Sequence, residues 1–140
     1  MPVSEEHSYA PYAPGEVLVL PFPFTDRQST KRRPALVISD AQAFNLPSGH
    51  LVAAMITSAD HHPWPLDTPI ENLDAAGLAH ESVVRMKLFT LDARLVLRRA
   101  GELAACDWQN VRRQLQTLLE GDANKLHEPL PSAKRTKAKP

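Results

Sequence analysis

Five short apolar runs, at residues 17–22, 35–39, 51–57, 82–89 and 95–97, alternate with stretches rich in turn-forming residues. Runs this short cannot each build a helix, and at this spacing they read as the strands of a small barrel or sandwich. Residues 58–80 are the least regular interior part: Pro63, Pro65, Pro69 and Gly77 break any long element, leaving a loop region with one short strand near residues 66–70. No internal repeat is present.

One segment follows a different period. Trp108, Val111, Leu115, Leu118 and Leu119 recur at i, i+3, i+7, i+10 and i+11, which places all five on one face of a helix that packs against the sheet. Asp107 fits its N-cap and Gly121 its C′ position. The expected fold class is therefore mainly β with one closing amphipathic helix.

A chain of 140 residues, 43% of them hydrophobic, can bury a single core. Its one cysteine, Cys106, cannot form an internal disulfide, and Glu5, Glu6 and His7 stand where a secretory signal would be apolar. The longest apolar runs fall far short of the roughly 20 residues that cross a bilayer. These features point to a cytoplasmic protein with no membrane association. Three regions are expected: a Pro-containing extension at 1–13, a barrel domain at 14–121, and a loosely attached basic tail at 122–140.

The formal charge is zero, yet Lys134, Arg135, Lys137 and Lys139 lie in the tail, which leaves the upstream body mildly acidic. A nucleic-acid partner would have to be held by local cationic clusters. Two occur. Lys31-Arg32-Arg33 stands at the junction between a loop and a buried run, and Arg85 and Lys87 alternate onto one face of a strand whose other face carries Val84, Met86 and Leu88. Between them the run at 51–57 ends in two hydroxyls, with Ala53, Met55 and Thr57 on one face and Ser58 next to it. Taken singly, each has an ordinary alternative: charges that keep an edge strand soluble, a hydroxylated turn, an outward-facing pair on a half-exposed strand. His61 and His62 lack a third ligand at a recognisable spacing, and no glycine-rich nucleotide motif occurs, so neither a metal nor a cofactor is expected.

Four pieces in order carry a resemblance: Gly15-Glu16-Val17 leading into Pro21-Phe22-Pro23-Phe24-Thr25-Asp26; Arg33-Pro34-Ala35-Leu36-Val37-Ile38-Ser39; Met55-Ile56-Thr57-Ser58; and Ser82-Val83-Val84-Arg85 ending in Phe89-Thr90-Leu91-Asp92. Together they resemble the MazF/PemK family of toxin endoribonucleases over roughly residues 14–120. The resemblance implies an SH3-like β-barrel of the CcdB/PemK type, a homodimer, a single-stranded RNA substrate, a cognate antitoxin, and metal-independent cleavage by the substrate's own 2′-hydroxyl. Arg33, Thr57 and Arg85 match the family's catalytic positions, and Arg27, Lys31, Arg32, Ser58 and Lys87 would contact RNA. The chain departs from the pattern at Lys87, where several members carry an acid, and at Arg27, where some carry a histidine. The general base is left among Asp26, His61, His62 and solvent hydroxide. A non-catalytic binder on the same fold, either a gyrase poison or an RNA-binding module that has lost cleavage, is the alternative reading.

Overall fold

The computed structural model describes residues 12–22 and 31–122. Strands β1 (Glu16–Phe22), β2 (Lys31–Val37), β3 (His50–Ser58), β4 (Thr68–Pro69), β5 (Ser82–Asp92) and β6 (Arg98–Glu102) form one antiparallel sheet in the order β4-β5-β3-β2-β1-β6. Helix α1 (Ala105–Glu120) follows, and short helical turns occupy Ala41–Asn45, Leu46–Ser48 and Leu73–Ala76.

Alternation along the strands sorts apolar side chains onto both faces of this sheet. Val17, Leu36, Ala54, Ile56 and Val84 share one face with the fully buried Val111 of α1, against which Trp108 and Leu115 also pack. Leu18, Leu20, Ala35, Val37, Leu51, Ala53 and Leu91 form a second cluster, joined by Val96. Each Leu or Val so buried stabilises the fold by about 1.5–3 kcal/mol relative to exposure. Both faces must be covered, so the helix takes one and the sheet curls around the other into a half-barrel, as the short apolar runs require.

Four local expectations give way to the structure. Met55 pairs with Arg85 while Ala54 pairs with Leu88, so Met86 and Lys87 are extra residues that bulge from β5. Simple alternation ends there: Met86 stays in the core, Leu88 is 40% exposed, and Phe89 and Leu91 turn to the second cluster. The run at 95–97 is no strand. Ala93–Leu95 is a 3-10 turn capped by the Asp92 carboxylate, and the strand is the charged edge segment Arg98–Glu102. Next, the three cations 31–33 do not precede β2; they are its first residues, paired with β1 at Phe22, Pro21 and Leu20.

The fourth correction concerns α1, whose N-cap is Ala104. Asp107 lies inside the first turn and is fully buried, its carboxylate accepting hydrogen bonds from the backbone N–H of Glu71 (3.0 and 3.1 Å) and of Asn72 (2.9 Å). The helix begins ahead of its apolar stripe, which hides the true cap. Of that stripe, Leu118 and Leu119 stay exposed, at 41% and 78%, because only the first three turns meet the core. Gly121 ends the helix in a positive-φ conformation, as expected, its N–H reaching Thr117 O.

The segment that Asp107 holds is fixed a second time. A Cβ added at Gly77 would lie 2.1 Å from the Ala100 carbonyl oxygen, and one at Gly101 would lie 2.4 Å from that of Ala75, so the turn Leu73–Ala76 rests backbone against backbone on β6. Replacing Asp107 with Ala leaves the N–H groups of Glu71 and Asn72 without the acceptor they share. Asp107→Ala is expected to lower unfolding stability by about 3 kcal/mol, from the desolvation of donors left unpaired. Urea denaturation measures it, and a loss under 1 kcal/mol would show that water replaces the carboxylate.

Candidate functional site

Arg33, Thr57 and Arg85 come from three neighbouring strands. Ala35 pairs with Met55, and Met55 with Arg85. Arg33 stands two residues before Ala35 and Thr57 two after Met55, so the antiparallel register, continued past its last paired residues, sets Arg33 beside Thr57. Thr57 in turn pairs with Val83, two positions from Arg85. Ala35 and Ala53 belong to the second core cluster, and by alternation all three polar residues project from that same face. Thr57 and Arg85, diagonal neighbours across β3 and β5, lie about 7 Å apart, and Arg33 stands on the far side of β3 from Arg85.

The two arginines have different surroundings. The Arg33 guanidinium carbon sits 4.8 Å from the centre of the Phe22 ring, and its Nε is buried with no hydrogen-bond partner among the described residues. Buried donors are nearly always paired. This donor belongs to the guanidinium itself and stays unmet among the described residues.

Arg85, by contrast, is held. Its Nε and Nη2 donate to Asp67 Oδ1 (3.1 Å) and Oδ2 (2.9 Å), and Nη2 also donates to the His62 carbonyl at 2.8 Å. This two-point pair, with side chains only 11% and 17% exposed, raises the arginine's pKa further and fixes the plane of the guanidinium. Neither hydrogen of Nη1 has an acceptor among the described residues. Trp64 covers the pair, its ring centre 5.8 Å from the Arg85 guanidinium and 4.7 Å from Lys87 Nζ. Arg85 and Lys87 thus keep the common side expected of them, although the bulge lies between.

The loop from β3 to β4 carries all these partners. Its first turn is closed by Ser58, whose carbonyl accepts from His61 N–H and whose Oγ accepts from Asp60 N–H at 3.1 Å. The turn returns the chain on itself, and His61 Nδ1 lies 2.7 Å from Thr57 Oγ1. A second turn, in which Leu66 takes a φ of 66°, brings Asp67 back to the Trp64 backbone. That conformation strains a leucine by about 1–3 kcal/mol, and the packing of Leu66 against the core offsets it.

Of the other expected RNA contacts, Lys31 and Arg32 are exposed, and alternation sends Arg32 to the face opposite Arg33. The triplet is therefore no single cluster. Ser58 is committed to its turn through Oγ but keeps a hydrogen to donate. Arg27 and Asp26 lie outside the described residues. Among the described residues no three His, Cys, Asp or Glu side chains gather where a metal could be held. Sequence reasoning missed Asp67, Trp64 and Phe22. Asp67 is 18 positions from its partner, and the only available signal was an aromatic and a carboxylate in one Pro-rich loop.

Known proteins extend this picture. Residues 13–119 match the model of the PemK-like, MazF-like toxins of type II toxin–antitoxin systems. No curated protein matches the chain in sequence. Among solved structures, a MazE–MazF complex from Deinococcus radiodurans superposes with a TM-score of 0.61 at 26% identity, covering 80% of this chain and 98% of that one. MazF alone from the same organism gives 0.59 at 28% identity, covering 78% and 96%. An endoribonuclease bound to its cognate antitoxin from a Mycobacterial species shares the fold, with a TM-score of 0.60 at 19% identity over 87% and 99%. With the matched region spanning the sheet, the site and the closing helix, the chain belongs to the PemK-like, MazF-like toxin family of type II toxin–antitoxin systems.

Proposed function

We propose that this toxin is an endoribonuclease that cuts single-stranded RNA without a metal or cofactor, by attack of the substrate's 2′-hydroxyl on the adjacent phosphate to leave a 2′,3′-cyclic phosphate. The observation that carries the reading is the placement of Arg33, Thr57 and Arg85 on three successive strands and one face, with a buried Arg33 donor that has no partner among the described residues. Attack on phosphorus builds charge on the non-bridging oxygens, and preorganised guanidinium groups stabilise it strongly in a shielded site. In this reading Arg33 and the free Nη1 edge of Arg85 bind those oxygens, and Thr57 donates a third hydrogen bond. Asp67 orients Arg85 at the cost of part of its charge, so Arg33 carries the larger share.

Lys87, Lys31, Arg32, Ser58 and, outside the described residues, Arg27 would track the flanking RNA, which the toxin would meet in the cytoplasm. No described helix is long and apolar enough to cross a membrane. A cognate antitoxin fits the family and the MazE–MazF likeness, and it would neutralise the toxin by occupying the same face. The active species would be a homodimer, to which the domain at 14–121 contributes the barrel.

Purified protein incubated with single-stranded RNA and a chelator tests the reading: discrete fragments ending in cyclic phosphate are expected. Fragments with a free 3′-hydroxyl would point to metal hydrolysis, and intact but retarded RNA would point to a binder that does not cleave. Arg33→Ala and Arg85→Ala should each lower cleavage on the order of 10²-fold or more, with Arg33→Ala the worse. Lys87→Ala should weaken binding to RNA of any sequence and flatten the plot of log affinity against log salt by roughly 0.7, the share of one phosphate on a single strand. An unchanged slope would remove Lys87 from the RNA path. Sedimentation at micromolar concentration should give twice the 15.5 kDa of one chain, and a monomer alone would refute the dimer.

A further inference from the structure

We infer that His61 is the general base of this site, accepting the proton of the RNA 2′-hydroxyl through Nε2 while its Nδ1 is held by Thr57; the inference rests on the ribonuclease reading above. The position usually read as acidic is Lys87, whose ammonium lies against Trp64 and has no lone pair to offer. Of the remaining candidates among the described residues, Asp67 is spent on Arg85 with both oxygens, and His62 touches the site only through its carbonyl. His61 alone places an imidazole on one of the three converging residues, at 2.7 Å from Thr57 Oγ1.

The hydroxyl it touches decides which nitrogen is free. Thr57 has a single hydroxyl hydrogen. When that hydrogen is donated to a non-bridging phosphate oxygen, the hydroxyl can only accept from His61, which fixes the imidazole with its proton on Nδ1 and a bare lone pair on Nε2. Nε2 has no partner among the described residues, and the side chain is exposed, so a nucleotide can reach it. The turn at Ser58 holds the ring there, because the His61 N–H bonded to the Ser58 carbonyl brings position 61 alongside position 57. Substrate binding thus sets the base: the phosphate takes the threonine hydrogen, and the threonine takes the histidine's.

In the reaction the 2′-O–H proton moves to Nε2 as the O2′–P bond forms and the P–O5′ bond breaks. The departing O5′ takes a proton from water, and the imidazolium returns its own proton to solvent, so atoms and charge balance. Among the described residues, the charged and titratable groups on the elements around His61 are Asp60, His62 and Asp67 of its loop, Glu81 ahead of β5, Arg85 and Lys87 of β5, and Lys31 and Arg33 of β2.

The test compares wild type with His61→Ala and His61→Gln on one single-stranded RNA in chelator, with rates measured from acid to alkaline pH. Wild-type cleavage should rise with pH and then level off. His61→Ala should lose roughly 10²–10³ of the rate near neutrality, within the range of a general base, with KM changed less than threefold. Its profile should climb with hydroxide across the whole range, and added imidazole should restore part of the loss. His61→Gln, which keeps a hydrogen bond to Thr57 but cannot take the proton, should be as slow as His61→Ala. A His61→Gln protein of wild-type rate, or a His61→Ala protein with the wild-type pH profile and no response to imidazole, would overturn the assignment while leaving the ribonuclease reading intact. Wild-type protein that cuts no RNA would overturn both.

Discussion

The buried carboxylate of Asp107 is the interaction on which the rest of the site depends. Taking an unpaired carboxylate out of water is unfavourable unless hydrogen bonds replace its hydration, and here the backbone donors of Glu71 and Asn72 do so. The positive end of the α1 dipole adds to this, since the residue lies in the first helical turn. The bonds fix one end of the segment that leaves β3 at Ser58, and β3 itself fixes the other. Between those anchors Asp67 and Trp64 have little freedom except to lie over Arg85.

That arrangement resolves a conflict between stability and chemistry. Two guanidinium groups on one face repel even with β3 between their strands, and both are partly buried. One carries a carboxylate partner that neutralises it, and the other rests on an aromatic ring, with no ion-pair partner among the described residues. Arg33 and Lys87 thereby add positive charge to this side of the sheet, while the pair with Asp67 holds Arg85 in one geometry. The pairing of Arg85 with Asp67 depends on the loop between β3 and β4.

Much of the architecture was legible because it depends on local period. The strands at β1, β3 and β5 follow from apolar alternation, and α1 follows from its spacing. Thr57 and Arg33 could be placed on strands for the same reason. What was illegible depends on contacts between distant residues. The bulge at Met86 and Lys87 leaves no mark in a sequence that alternates smoothly through it, so Leu88 looked like core. Asp107 has the composition of a cap and the burial of a core residue, and only Glu71 and Asn72, more than thirty positions away, distinguish the two. Arg98–Glu102 carries too much charge to resemble a strand, as an edge strand should.

The pairing of β1 with β6 has a consequence for how the protein comes into being. Residues 16–19 bond to residues 98–102, so the first strand finds its outer neighbour only after about eighty further residues have been made. Contacts this distant form slowly, because a long loop must close before they stabilise anything. On the ribosome, a chain that ends before Arg98 leaves β1 as an open edge, and one that ends before Asp107 leaves the Glu71 and Asn72 donors unmet. The face that carries Arg33, Thr57 and Arg85 therefore acquires its fixed geometry only once residues 98–107 have been made, and a nascent chain has the residues of the site before it has the site.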